Sequence, residues 1–250
     1  MAANLSGYRS KDFQQMTLES VSVLWPKNKI ITGAGLPESI SNFFARYGAE
    51  LIQRLGEHFV LVGVACGLAI AIGIPLGVII TRKASLRQPV LFFVNTMQTI
   101  PSLALFGFLL PIPLIGGIGA RTAIVTLFLY ALLPIVRNTY VGITTVDPAI
   151  REAGRAMGMS DWQLIAWVEL PLALSVIVAG VRVAVVICVG TAAIAAAIGA
   201  GGLGEFIFRG LSTVNNIQIL LGAVPAALMA LSLDFGLGWL QNKLDRSPAN

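Results

Sequence analysis

Charged residues are scarce in this sequence. Only 12% of its 250 residues are Asp, Glu, Lys or Arg, whereas 56% are hydrophobic and the mean hydropathy is +0.82. Soluble domains carry about 25% charged residues, and a single core of this size could not hide so much apolar surface from water. The composition therefore excludes an ordinary soluble domain and a disordered chain, and it favours an integral membrane protein.

Cysteine and histidine are also rare, which limits the chemistry that the chain can perform. Cys66 and Cys188 lie inside apolar stretches, where we expect small packing residues. The one histidine, His58, follows Glu57 at an expected membrane edge and lacks the partners of a metal ligand set, so a structural role at the interface is predicted. The sequence contains no GxSxG motif and no GxxxxGK[ST] phosphate loop. We therefore predict no catalytic residues, no metal site and no cofactor bound by this chain.

Long apolar runs are what the sequence does contain. A spanning helix needs about 20 apolar residues, and five stretches qualify: 59–80, 89–110, 122–141, 172–198 and 217–240. They predict an all-α polytopic membrane protein with its core at residues 57–240 and a short tail at 241–250. Two GxxxG pairs, Gly63 with Gly67 and Gly73 with Gly77, suit close helix packing.

The first 56 residues differ from the rest. Residues 1–36 look weakly structured, but at about 39–56 apolar residues recur at helical spacing around Arg46, Glu50 and Arg54. This pattern predicts an amphipathic helix lying on the membrane surface. A helical extension of the first span would give the same pattern.

Basic residues cluster in alternate loops, which predicts the orientation of the chain. One group of loops carries Arg82, Lys83, Arg87, Arg151, Arg155, Lys243 and Arg246, whereas the opposite loops carry only Arg121 and Arg209. Basic loops stay in the cytoplasm, so the C-terminus is predicted inside and the N-terminus outside. Nucleic-acid binding needs a clustered basic face, and none is visible in the sequence.

Two charged residues fall inside predicted spans. Arg182 lies 11 residues past Pro171, about 16 Å deep, and Asp234 lies in the last span. Because such charges are costly in lipid, they indicate either a structural pair or a polar pathway.

The connection between the third and fourth spans has strong local signals. Asp147 and Pro148 suit the start of a helix, Gly158 suits a left-handed stop, and Ser160 with Gln163 forms a capping box. The loop is therefore predicted as two short helices joined at a glycine. A preformed helical knob of this kind indicates docking onto a partner.

The same loop resembles the EAA loop of bacterial ABC-importer permeases. That pattern is Glu-Ala-Ala, three residues, Gly, nine residues, an aliphatic residue, any residue, then Leu-Pro. The matching positions, in which Gly154 replaces the second alanine and Val168 replaces isoleucine, are Glu152, Ala153, Gly154, Gly158, Val168, Leu170 and Pro171.

The resemblance implies the fold of type I ABC-importer permeases, with five core spans and a cytoplasmic coupling loop. It implies that Glu152 through Gly158 contact an ATPase subunit dimer, which uses the ATP and magnesium. It also implies a second permease subunit, identical or homologous, in the cytoplasmic (inner) membrane of a bacterium.

Two further segments, 98–104 and 199–210, resemble the osmoprotectant branch of these permeases, which imports glycine betaine, choline, carnitine and related quaternary amines. A separate extracytoplasmic binding protein is then expected, and Glu205 and Arg209 are its predicted contacts. An importer for methionine or another small amine is an alternative, because such permeases share the glycines at 199–204. A channel or carrier independent of ATP is a further alternative, although no inverted repeat is visible.

Overall fold

The computed structural model describes residues 36–113 and 115–245, with side chains from Tyr47 onward. The weak structure predicted for residues 1–36 lies outside the described part except at Leu36, which begins a helix, and residues 246–250 of the predicted tail also lie outside it.

All regular structure in the described ranges is helical, as predicted from the composition. The helices α1 to α9 are, in order, Leu36–Arg82, Ala84–Thr99, Ser102–Leu109, Ala120–Thr144, Pro148–Ala156, Asp161–Leu164, Leu170–Ala195, Gly204–Ser212 and Asn216–Leu244. A π-helical turn, Ile165–Glu169, joins α6 to α7, and a 3₁₀ turn, Ala196–Ile198, follows α7.

Four helical runs are long and apolar enough to cross a membrane: Tyr47–Arg82, Ala120–Thr144, Asp161–Ile198 and Asn216–Leu244. Helices α2 and α3 pass the same test only as a pair, and they are bent by 104°. The predicted span at 89–110 is therefore wrong as a single helix, and the described residues contain four candidate spans, or five if the bent pair is one.

The bend lies at Ile100 and Pro101. Proline has no amide hydrogen and pushes the preceding residue out of the helical region, and Ile100 is extended at φ −72° and ψ 128°. The carbonyl oxygen of Ile100 accepts a hydrogen bond from Tyr130 Oη, while Gln98 Nε2 donates to Tyr130 O at 3.0 Å. The Tyr130 hydroxyl thus satisfies the carbonyl that the break leaves free, and Gln98 satisfies the Tyr130 carbonyl, which lacks its helical donor because Pro134 has no amide hydrogen.

Helix α1 runs without a break through the stretch predicted as an amphipathic surface helix. Residues 39–56 therefore belong to the same helix as the first span. This agrees with the alternative interpretation of the pattern, a helical extension of that span. Their location at the membrane surface stays a prediction.

Helix α7 is central and packs against α4 and α9. Small residues allow the closest approach: a Cβ at Gly180 would lie 2.6 Å from Asn138 Cβ of α4, and one at Gly77 of α1 would lie 2.6 Å from Thr139 Cβ. Cys66 and Cys188 are free thiols buried in this apolar core, in agreement with their predicted packing role. Gly63 and Gly67, by contrast, have open space beside them.

Candidate functional site

The loop between α4 and α7 folds as its caps predict. Asp147 Oδ1 accepts a hydrogen bond from the Ala149 amide at 2.8 Å, and Pro148 occupies the first turn of α5. At the other end, Gly158 has φ +83°, and hydrogen bonds run from its amide to Arg155 O and from the Met159 amide to Gly154 O. This Schellman arrangement ends α5 sharply.

The second short helix begins at the predicted capping box. Ser160 Oγ accepts from the Gln163 amide at 3.4 Å, and Gln163 Oε1 accepts from the Ser160 amide at 2.8 Å. From there α6 continues through the π-helical turn into α7 as one helical run. The loop is therefore joined rigidly to a membrane span.

The residues of the EAA pattern divide into two groups in space. Glu152, Ala153 and Gly158 are exposed, whereas Val168, Leu170 and Pro171 are half-buried at the base of α7. Gly154 is buried, and a Cβ there would lie 2.7 Å from Leu164 Cδ1. Close packing of α5 on α6 thus accounts for glycine at this position.

The loop exposes several apolar side chains as well as its acidic residue. Met157 is 70% exposed and Trp162 is 72% exposed, and Ile150 is exposed as well. Among the described residues, none forms a hydrogen bond or ion pair with the Glu152 side chain. Exposed apolar side chains at a loop, with Trp and Met among them, are typical of a protein–protein interface.

A buried carboxylate lies beneath the loop. Glu169, at the end of the π-helical turn, is 0% exposed, and its Oε2 is 2.5 Å from Arg82 Nη2 at the end of α1. Its Oε1 is 3.3 Å from Arg151 Nε of α5. Arg151 Nη2 also donates to the carbonyl oxygen of Ile143 in α4.

The middle of α1 contacts the glycine-rich segment 199–204. Glu57 Oε2 accepts from the Gly202 amide at 2.9 Å, and His58 Nδ1 accepts from the Leu203 amide at 3.3 Å. His58 Nε2 lies 3.1 Å from Val189 O, and the ring is fully buried. His58 thus has a structural role, as predicted, but in the protein interior and not at an exposed membrane edge. Its ring forms hydrogen bonds with two backbone groups.

Glu205 and Arg209, the predicted binding-protein contacts, belong to an ion-pair network. Glu205 Oε2 is 2.5 Å from Arg54 Nη2, and Arg209 Nη1 is 3.0 Å from Glu50 Oε1. Arg54 Nη1 also pairs with Glu57 Oε2 at 2.9 Å. The network therefore links α8 to α1.

Arg182 and Asp234 are brought together inside the spans. Arg182 donates to both carboxylate oxygens of Asp234, from Nη2 to Oδ2 at 2.6 Å and from Nε to Oδ1. A Cβ at Gly238 would lie 3.2 Å from Arg182 Nη1, so this glycine leaves room for the guanidinium. The pair lines an open cavity of about 460 Å³, and a neighbouring cavity of about 320 Å³ shares Val183 and Ile187 with it.

Comparison with known proteins assigns this architecture to a family. The family described as the binding-protein-dependent transport system inner membrane component matches residues 73–249. The chain belongs to this family. It is the multi-pass permease component of a binding-protein-dependent ABC importer, and the EAA loop described above lies within the matched region.

Individual relatives cover most of this permease. It is 45% identical over 208 residues to the glycine betaine/carnitine/choline transport system permease protein OpuCD of Bacillus subtilis (strain 168), which covers 83% of this chain and 90% of that one. It is 49% identical over 190 residues to the osmoprotectant import permease protein OsmW of Salmonella typhimurium, covering 75% and 86%. Its fold is similar to an inward-facing structure of the MetNI methionine ABC transporter, with a TM-score of 0.72, 26% identity, and 78% and 96% coverage.

Several contacts in this permease were not predicted from the sequence. The sequence did not identify Arg82, Glu169 or Tyr130 as interacting residues, and it did not predict a contact between Glu57 and the glycine-rich segment. One signal was available for Glu169, an acidic residue between Val168 and Leu170 at the start of an apolar run. A charge in such a place needs a partner, but the sequence does not say which cation supplies it.

Proposed function

We propose that this permease imports a quaternary-amine osmoprotectant, driven by ATP that a separate ATPase dimer hydrolyses while docked on the EAA loop. The observation that carries this proposal is the preformed helix α5, capped at both ends and exposing Glu152 among apolar side chains. A helix that is already ordered loses little conformational entropy on binding, so it suits a docking element. The chain itself would hold neither ATP nor magnesium.

The substrate class rests on the curated relatives. Those named for glycine betaine, carnitine, choline or osmoprotectants are 45% and 49% identical to the chain, whereas the methionine transporter is 26% identical. A quaternary ammonium has no N–H to donate and is attracted by aromatic faces or carboxylates. Asp234 is already neutralised by Arg182, so we assign selectivity to the separate binding protein and a weak, transient path to the permease.

The Arg182–Asp234 pair belongs to the face that we assign to this path. Charged side chains in a membrane face a protein partner or a water-filled cavity, because exposure to lipid is costly. We therefore propose that a second permease subunit, identical or homologous, covers the two cavities. The substrate would pass between the subunits.

The ion-pair network of α8 is the proposed contact of the binding protein outside the membrane. Its salt bridges are partly exposed, with Arg209 the most exposed member at 42%. A binding protein that docks from the outer side of the membrane could form its own ion pairs with these charged side chains. The Arg209→Glu variant should lower the stimulation of ATPase activity by the binding protein, and unchanged stimulation would exclude this contact.

The docking proposal is tested by removing the exposed carboxylate. The Glu152→Ala variant is expected to bind the co-expressed ATPase about tenfold more weakly, which corresponds to about 1.4 kcal/mol. The measurement is the amount of ATPase that co-purifies per permease. Gln88→Ala, an exposed change on α2, is the matched control and should bind the ATPase normally. Equal binding by both variants would contradict the proposal.

The substrate class is tested by uptake into vesicles that contain the assembled importer and its binding protein. We expect ATP-dependent uptake of radiolabelled choline, glycine betaine or carnitine, and no competition by excess methionine. Uptake of methionine alone would favour the alternative importer. Uptake without ATP would instead indicate a carrier.

A further inference from the structure

We infer that Glu169 is a positioning residue through which movement of the docked loop reaches the first membrane span. The inference rests on the proposed docking of an ATPase on α5, and it names the route that leads from that surface into the membrane. Neither the EAA pattern nor the resemblance assigns a role to this position, which the pattern leaves open to any residue.

Glu169 connects three parts of the chain that are distant in sequence. Its carboxylate pairs with Arg82, 87 residues earlier at the end of α1, and with Arg151 in the middle of α5. Arg151 lies next to the exposed Glu152 in the chain. A displacement of the docking helix therefore moves a cation that touches the same carboxylate as the end of α1.

Burial makes these contacts obligatory. The Glu169 side chain is 0% exposed, while Arg82 and Arg151 are 29% and 22% exposed. A carboxylate removed from water must keep a cation or a hydrogen-bond donor beside it. When one arginine shifts, the carboxylate must follow it or strengthen its contact with the other.

The two contacts differ in geometry. The Arg82 contact is a short hydrogen bond, whereas Glu169 Oε1 and Arg151 Nε have no hydrogen-bond partner within the described part of the chain despite their 3.3 Å separation. The α5 side of the cluster is thus the loosely bound side. This asymmetry favours Arg151 as the group that moves and Arg82 as the group that responds.

The backbone at Glu169 also suits a moving part. The residue ends a π-helical turn, a feature that is frequent at functional sites because it places one extra residue in a helix. The turn joins α6 to α7, so a change in it would alter how the loop meets that span. Arg82, Arg151 and Glu169 together form what we call the transmission cluster.

The decisive variant is Glu169→Gln, which keeps the shape of the side chain and an acceptor for Arg82 but removes the charge. With the ATPase, the binding protein and vesicles, we measure assembled complex, ATP hydrolysis and substrate uptake. We expect ATPase binding to persist, while substrate transported per ATP hydrolysed falls at least fivefold. The Arg151→Gln variant should lower the same ratio.

The matched control is Arg87→Gln, which removes a cation from the same end of the molecule. Arg87 pairs only with exposed Tyr140 Oη, at 3.1 Å, among the contacts of the described residues. We expect its ratio of transport to hydrolysis to equal that of the unsubstituted permease. A lowered ratio in this control would show a general effect of charge and would overturn the inference.

A merely structural role predicts a different pattern. Glu169→Gln would then reduce the amount of assembled complex and leave the ratio in the remaining complexes unchanged, and that result would overturn the inference. If Glu169→Gln does not assemble, the partly exposed Arg151→Gln decides by the same ratio. Absence of ATP-driven uptake in the unsubstituted importer would instead overturn the proposed function on which the inference rests.

Discussion

His58 shows how a single buried residue can hold two parts of the chain together. Its Nδ1 accepts a hydrogen bond from the Leu203 amide, so the proton of the neutral ring lies on Nε2, which donates to Val189 O. The ring therefore joins α1 to α7 and to the glycine-rich segment. Removal of the ring nitrogens would leave the Leu203 amide buried without its acceptor.

The His58→Phe variant tests this role. An unsatisfied buried polar group costs about 1–3 kcal/mol, so we expect the free energy of unfolding to fall by about 2 kcal/mol or more. Thermal unfolding of the purified permease in detergent measures the change. Val60→Phe, at an exposed position of the same helix, is the control, and equal melting of the two variants would contradict the prediction.

Two glycines of α9 allow a matched test of the Arg182–Asp234 pair. A Cβ at Gly238 would lie 3.2 Å from Arg182 Nη1, whereas no atom lies within 4 Å of one at Gly236. We expect Gly238→Val to displace the guanidinium and to lower both thermal stability and uptake, while Gly236→Val retains them. If both variants behave alike, the guanidinium does not depend on that space.

The helix caps that the sequence predicted correctly have partners that are close in the chain. Asp147, Gly158 and Ser160 act on groups within five residues, so their spacing alone determines the caps. Glu169 contacts Arg82, 87 positions away, and His58 contacts Leu203, 145 positions away. Those contacts depend on how the spans pack, which local spacing does not encode.

At the scale of elements, the bend between α2 and α3 departs most from the sequence prediction. The apolar run at 89–110 has the length of a span, and the run alone does not distinguish a kink from a break. What makes a 104° bend tenable is Tyr130, 30 residues away, whose hydroxyl donates to Ile100 O. Tertiary contacts therefore decide the form of this element.

The Tyr130→Phe variant tests that explanation. Loss of the hydroxyl leaves the Ile100 carbonyl without its donor, and we expect a loss of about 1–3 kcal/mol in the free energy of unfolding. Tyr140→Phe, which removes a hydroxyl from an exposed contact with Arg87, should change the free energy by less than about 1 kcal/mol. Thermal unfolding in detergent compares the two, and a larger effect of Tyr140→Phe would contradict the explanation.

At the scale of the whole molecule, helix α1 connects charged clusters at the two ends of its apolar run. Arg54 belongs to the ion-pair network with α8, and Arg82 belongs to the transmission cluster. They lie 28 residues apart, which is about 42 Å along a helix. That distance matches a bilayer with its headgroup regions, about 40–45 Å. Both clusters can therefore lie in the headgroup regions, where charged side chains meet water. This position agrees with the scarcity of charge along the rest of the chain, which suits the apolar interior of the membrane.

The orientation of these two ends can be measured directly, because the native cysteines are buried. Met157 is 70% exposed within the EAA loop, and Val214 is 87% exposed between α8 and α9. In right-side-out vesicles, we expect a membrane-impermeant maleimide to label Val214→Cys but not Met157→Cys. In inverted vesicles the pattern should reverse, since basic loops stay in the cytoplasm. Labelling of Met157→Cys from outside would contradict the orientation and would remove the docking surface from the side on which ATP is available.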